Sequence, residues 1–223
     1  MTLNLSISTS DLMHYINNLL SSNFPLPNKV YSIDRKCHDV ALQRLEYCFQ
    51  RINRKYYHDG NNPCFDPFNA DHLCSYLWFL SNTIGYAFSD EMNAILLSHL
   101  NKRLHGVDLF YSVSMPDIFL LVHPVGSVFG SAKYSNYFVG YQNCTIGAEG
   151  SSYPFFEEGV ICYSKTSVIG DCKVGENVVF GANSFVLNSI IPENTTVVGS
   201  YPNHRLLLNK LSVKDRIFSP ISL

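Results

Sequence analysis

The chain has 223 residues, 46% of them hydrophobic and 15% charged, with a formal net charge of -2 at pH 7. That length allows one large domain or two small ones, and the low charged fraction fits a chain that hides surface in an oligomer. The near-neutral balance supplies no basic field for nucleic acid or an anionic membrane, and no apolar run is long enough to span a bilayer.

The 7 cysteines are odd in number and lack CxxC spacing. They argue against a disulfide framework or a zinc ribbon and for reduced thiols in the cytoplasm. Met1 to Leu20 is polar-interrupted and has no basic start, so no signal peptide is expected.

Residues 1–106 read as a helical domain. Ser10-Asp11 can cap a first helix through Leu12, Tyr15, Ile16 and Leu19. Ser32 can cap a second, whose Val40, Leu42, Leu45, Phe49 and Ile52 form an apolar stripe. Asp59-Gly60-Asn61-Asn62-Pro63 reads as a turn. Asn69 can start a third helix through Leu73, Tyr76, Leu77 and Leu80. Ser89-Asp90-Glu91 can start a fourth, burying Met92, Ile95, Leu96 and Leu100. Lys102, Arg103 and His105 fall in its last turn and Gly106 follows as the C-cap.

Past Gly106 the period changes to six. Phe156, Cys162, Val168, Val174, Phe180 and Val186 are all apolar. The positions four later are small or apolar: Val160, Thr166, Cys172, Val178, Ser184 and Ile190. The beat also runs through Val128, Tyr134, Gly140 and Ile146, with Ala132, Phe138 and Cys144 four later. Earlier still it runs through Leu109, Met115 and Leu121, with Val113, Phe119 and Val125. A helix has no such repeat. It predicts a parallel β-helix over residues 107–200, whose stacked coils share one core, followed by a tail over 201–223. Cys144, Cys162 and Cys172 are then core fillers rather than reactive thiols. The beat slips by one residue beside His123, and four extra residues lie between Ile146 and Phe156. Breaks in a regular solenoid are candidate functional positions.

Several segments together carry a family resemblance. They are Leu104-His105-Gly106-Val107-Asp108, His123-Pro124-Val125-Gly126-Ser127-Val128-Phe129-Gly130, Tyr141-Gln142-Asn143-Cys144-Thr145-Ile146-Gly147, Pro154 to Val160, and Val197-Val198-Gly199. Over about residues 104–205 the chain resembles the serine acetyltransferase group of hexapeptide-repeat acyltransferases. The resemblance implies a left-handed parallel β-helix behind an α-helical domain, an α + β solenoid. It further implies acetyl-CoA as acyl donor, a homotrimer or a dimer of trimers, and active sites between subunits.

It also implies that His123 is the general base and that Asp108, fifteen residues earlier, orients it. The chemistry agrees with that pairing. Transfer from a thioester to an alcohol needs the hydroxyl proton removed during attack. A neutral imidazole does this near pH 7, and a carboxylate on its other nitrogen fixes the tautomer. The other readings of these two residues are a satisfied loop histidine and an aspartate bonded to nearby backbone. His105 and His204 lie outside the repeat, so no metal site is expected.

The resemblance implies that coenzyme A lies in a groove between coils of adjacent subunits. Gly147, Ala148, Ser164, Gly181 and Ala182 would line it, and Arg205 would meet a phosphate. Tyr163 and Val179 depart from a glycine and a basic residue common in the family. Serine acetyltransferases carry an aspartate before the base and an Arg-His pair in the inserted loop; here stand Val122 and Ser152-Tyr153. An unpartnered buried zwitterion is costly. The expectation is therefore a sugar or sugar-nucleotide acceptor of capsule or O-antigen assembly, stacked on Tyr141 or Tyr153 and bonded by Asn143 or Ser152. Asp66 and Asp71 of the helical domain would help select it. The alternatives are serine O-acetylation, sugar N-acetylation, and a catalytically silent interaction module.

Overall fold

The computed structural model describes residues 2–59 and 62–218. The helical half contains β1 (Asn4–Leu5), α1 (Thr9–Asn23), α2 (Arg35–Phe49), β2 (Cys64–Phe65), α3 (Ala70–Ala87) and α4 (Glu91–His105). The solenoid half contains β3 (Phe119–Val122), β4 (Val128–Phe129), β5 (Phe138–Tyr141), β6 (Thr145–Gly147), β7 (Phe155–Phe156), β8 (Ile161–Cys162), β9 (Ser167–Ile169), β10 (Lys173–Val174), β11 (Val179–Phe180), β12 (Phe185–Leu187), β13 (Ile190–Ile191) and β14 (Thr195–Val198). β15 (Arg205–Leu208) and α5 (Val213–Ile217) form the tail.

Four helices stand where periodicity expects them, but two begin elsewhere. An N-cap needs extended backbone and a side-chain oxygen that reaches a free amide two or three residues on. Ser8, not Ser10 or Asp11, meets this for α1, accepting from the Asp11 N–H at 3.1 Å. Asp34, not Ser32, meets it for α2, accepting from Lys36 at 2.7 Å. Asn69 caps α3 as expected, and Gly106 closes α4 with φ 62°. The buried face of α4 is Ala94, Leu97, Ser98, Leu100 and Asn101; Met92 is exposed and Ile95 and Leu96 only half-buried. α3 packs between α2 and α4 and is buried along most of its length. Gly60 and Asn61 of the expected turn lie outside the described residues.

The solenoid is a three-sided prism of parallel strands. Its first face is β3-β5-β8-β11-β14, its second β4-β6-β9-β12, and its third β7-β10-β13. The chain visits the faces in that order once per coil. The corners turn through left-handed residues. His123, Asn143, Lys165 and Asn183 mark the first-to-second corner, with φ between 46° and 62°. Gly170 and Asn188 mark the next corner, and Tyr137, Asn177 and Asn194 the third. Asparagine tolerates this region better than most L-residues.

The six-residue beat supplies the core. Phe156, Cys162, Val168, Val174, Phe180 and Val186 are all 1% exposed or less. Full burial of each large apolar side chain contributes about 1.5–3 kcal/mol. Three expected inward positions point out instead: Val125, Val128 and Ile190, which are 57%, 41% and 75% exposed. Phe129 and Ile191 take the inward places at two of them. In a strand a one-residue shift exchanges the faces. The shift at Val128 follows the His123–Gly126 corner, which uses two left-handed residues in four.

The helical half plugs the first end of the prism. Phe119 packs its ring 5.3 Å from both Trp78 and Phe79 of α3. The tail is a strap. β15 runs antiparallel to β14. α5 then returns along the first face. Lys214 pairs with Glu158 and Glu176, Arg216 donates to the Tyr163 hydroxyl, and Phe218 meets Tyr137 at 5.2 Å. The Asn53 N–H donates to the Ile217 carbonyl, tying the strap to the helical half. This accounts for the outward-facing Val139, Ile161 and Val179 being buried. Among the described residues no helix is long and apolar enough to cross a membrane.

Candidate functional site

His123 stands at the first-to-second corner, immediately after β3. Its φ of 46° is strained for a non-glycine residue, and its side chain is 78% exposed. Asp71 meets it from the first turn of α3. The His123 backbone N–H donates to Asp71 Oδ1 and Oδ2 at 3.2 and 3.1 Å. The imidazole Nδ1 lies 3.4 Å from Oδ2. The Asp71 side chain is only 18% exposed. Burial pushes its carboxyl up from the ordinary carboxylate value, while the His123 N–H and imidazole pull against that shift. The helix N-terminus also favours a negative charge there.

Asp108 does not reach His123. It accepts from Lys102 Nζ at 2.5 Å, in an exposed ion pair. The cause is register: Asp108 lies beside Val128 in the second-face ladder, and Val128 points outward. The Asp108 carboxylate therefore faces outward from the second face, whereas His123 sits on the corner before it. The carboxylate on His123 is Asp71, expected only as an acceptor-binding residue.

Two clefts of about 300 Å³ adjoin His123 and Asp71. Leu104, His105, Pro124 and Val125 line one; Tyr56, Tyr57 and Asn69 line the other. His105, Tyr57 and Asn69 as cleft residues were not expected from sequence. Only the His105 spacing four after Asn101 on α4 offered a signal. The Tyr57 hydroxyl and His72 Nε2 are buried without a partner nearby.

The other expected residues divide by corner. Asn143, Ser164, Gly181 and Ala182 share the corner of His123, higher up the prism. Asn143 is a corner residue whose Oδ1 would lie 2.4 Å from any Cβ at Gly126, so it packs against that glycine. A Cβ at Gly181 would come within 3.2 Å of the Val197 carbonyl, a tight approach that the neighbouring coil would have to relieve by a few tenths of an ångström. Arg205 is exposed on β15 beside Val198. Tyr141 is half-buried, its ring 4.9 Å from Tyr163, on the face that the strap covers.

Gly147, Ala148, Ser152 and Tyr153 belong to the second-to-third corner, across the width of the second face. Glu149 and Ser152 exchange two backbone hydrogen bonds at 3.1 Å there, and the Glu149 carboxylate accepts from the Asn188 amide. Tyr153 rests over Gly130. Neither Ser152 nor Tyr153 lines the clefts at His123 within one chain. Asp66 accepts from Ser6 and from the Phe68 N–H, a local turn away from both clefts. Among the described residues no group of three or more His, Cys, Asp or Glu could hold a metal ion.

No family model matches the chain. The serine acetyltransferase of Synechococcus elongatus is 34% identical over 109 residues, 47% of this chain and 44% of that protein. That of Buchnera aphidicola is 27% identical over 199 residues, 86% of this chain and 70% of its own length. The chain spans about half the length of the Synechococcus and Staphylococcus relatives it matches. The solved serine acetyltransferase of Brucella abortus superposes with a TM-score of 0.66 at 19% identity, covering 91% of this chain and 84% of that one. The Neisseria gonorrhoeae structure does so with 0.66 at 20%, covering 92% and 81%. The Brucella protein has also been solved in complex with coenzyme A. These likenesses share the fold: a helical N-terminal part followed by a β-solenoid.

Proposed function

We propose that the protein is an acetyl-CoA-dependent O-acetyltransferase acting on a small amino alcohol, with L-serine the first acceptor to test. The observation that carries this is His123, an imidazole on a solenoid corner, held by Asp71 at the mouth of two clefts. The names of the relatives favour serine over a sugar. Within one chain the residues that suggested a sugar do not line these clefts: Tyr141 packs on Tyr163, Asn143 packs against Gly126, and Ser152 and Tyr153 share the corner of Gly147 and would reach His123 only from a neighbouring copy.

With Nδ1 toward Asp71, the His123 Nε2 carries the lone pair. It removes the acceptor's hydroxyl proton as that oxygen attacks the thioester carbonyl. A tetrahedral intermediate forms, the carbon–sulfur bond breaks, and the leaving thiolate takes the proton from the imidazolium. The products are an O-acetyl ester and coenzyme A. Asp71 is a positioning residue that fixes the ring and stabilises its cationic form.

Coenzyme A would run along the His123 corner past Ser164, Gly181 and Ala182, where small side chains leave backbone open, with Arg205 near its phosphates. Gly147 and Ala148 lie across the second face and would join the same groove only from a neighbouring copy. A base that is 78% exposed fits a site completed by such a copy, as in a homotrimer. Seven unpaired cysteines fit a cytoplasmic protein. The experiment is thiol release from acetyl-CoA with L-serine. Wild-type turnover that His123→Ala abolishes supports the proposal; no release with any amino alcohol defeats it.

A further inference from the structure

We propose that His105 is an acceptor-specificity residue: its Nε2 lone pair takes a hydrogen bond from the ammonium of the amino alcohol while Asp71 takes another. This rests on the acetyltransferase reading above and extends it to recognition of the acceptor.

Cys74 O can only accept, and it receives the Asn101 Nδ2 amide at 2.9 Å. That fixes the orientation of the Asn101 amide, which is 1% exposed. Its oxygen then faces His105 Nδ1 at 2.7 Å. An amide oxygen only accepts, so Nδ1 must carry the proton. Burial lowers the His105 pKa to about 4, so the ring is neutral near pH 7. A neutral ring with its proton on Nδ1 has a bare acceptor at Nε2.

His105 lines the cleft that also holds Asp71 and His123. The remaining walls, Ala70, Leu104, Pro124 and Val125, are apolar. The polar groups offered to a ligand are then an Asp71 carboxylate, the Nε2 of His105 and the Nε2 of His123. All are acceptors. An occupant that satisfies them brings donors: one hydroxyl for the base and an ammonium for the other two. A hydroxy acid lacking the amine leaves His105 and Asp71 without a donor, which lowers its affinity.

The test compares His105→Asn and His105→Gln in the full chain, with L-serine, ethanolamine and glycolate as acceptors. Asn keeps a donor to Asn101 but offers nothing at the Nε2 position; Gln sets its Oε1 near that position. Losing one hydrogen bond to a charged donor is expected to raise the KM for L-serine about tenfold in His105→Asn. kcat and the KM for acetyl-CoA stay within about twofold, and His105→Gln recovers to within about threefold of wild type. Ethanolamine follows the same order, and glycolate is a poor acceptor throughout. An active wild type with an unchanged KM in His105→Asn overturns this inference alone. So does an equal fall in kcat and both affinities in the two variants, which a purely structural role produces. A wild type that releases no thiol with either amine overturns the acetyltransferase reading and this inference with it.

Discussion

Asp71 and His123 are 52 residues apart, and the backbone N–H of His123 is shared between both oxygens of the Asp71 carboxylate. One carboxylate therefore holds both the corner of the solenoid and the ring that projects from it. It also couples the first turn of α3 to the first complete coil. The Gly126 N–H donates to the Gly106 carbonyl at 2.8 Å, tying the same corner to the end of α4.

That corner has little freedom at Gly126. Its φ is +74°, and a Cβ would lie 2.4 Å from Asn143 Oδ1. Gly126→Ala is expected to lose about 1–2 kcal/mol of stability through backbone strain alone. Urea unfolding measures this, and a midpoint equal to wild type would contradict the account of the corner.

Phe119 joins the two halves of the chain. It is 1% exposed and packs on two α3 aromatic rings. Phe119→Ala leaves a cavity at the plugged end of the prism and should cost about 3–5 kcal/mol. If the halves unfold separately as a result, circular dichroism will register the helical signal falling before the β signal.

Two buried histidines make the fold acid-sensitive. Burial lowers His38 and His72 to about 4, from an ordinary value of 6.5. Between those values the unfolded chain binds protons that the folded chain refuses. Stability is then full above pH 6.5 and declines as pH falls toward 4, by on the order of 3 kcal/mol for each ring. His72→Phe should show a shallower decline across that window, and equal slopes would refute it.

The hexapeptide beat made the core legible because a coil buries the same face every six residues. Phe156 to Val186 lie inward as that beat requires. The Gly106 cap was legible because left-handed backbone selects glycine. The inward places of Phe129 and Ile191 were not, since each follows a shift by one residue that no local pattern announces. His123 stood out as an ionisable residue beside a slip. Its partner did not. The resemblance implies Asp108, and only the folded chain brings Asp71 across from the helical half. The relatives' names favour serine over the expected sugar, and within one chain Ser152 and Tyr153, near His123 in sequence, sit at a different corner of the prism.

The most direct measurement compares Asp71→Asn with Asp108→Asn in acetyl-CoA-dependent thiol release, with His123→Ala as the reference. The account predicts that Asp71→Asn lowers kcat about a hundredfold or more, approaching His123→Ala, because the ring loses its orienting carboxylate. It predicts that Asp108→Asn stays within about threefold of wild type, because an exposed ion pair with Lys102 contributes little. A large loss in Asp108→Asn with Asp71→Asn near wild type would contradict it.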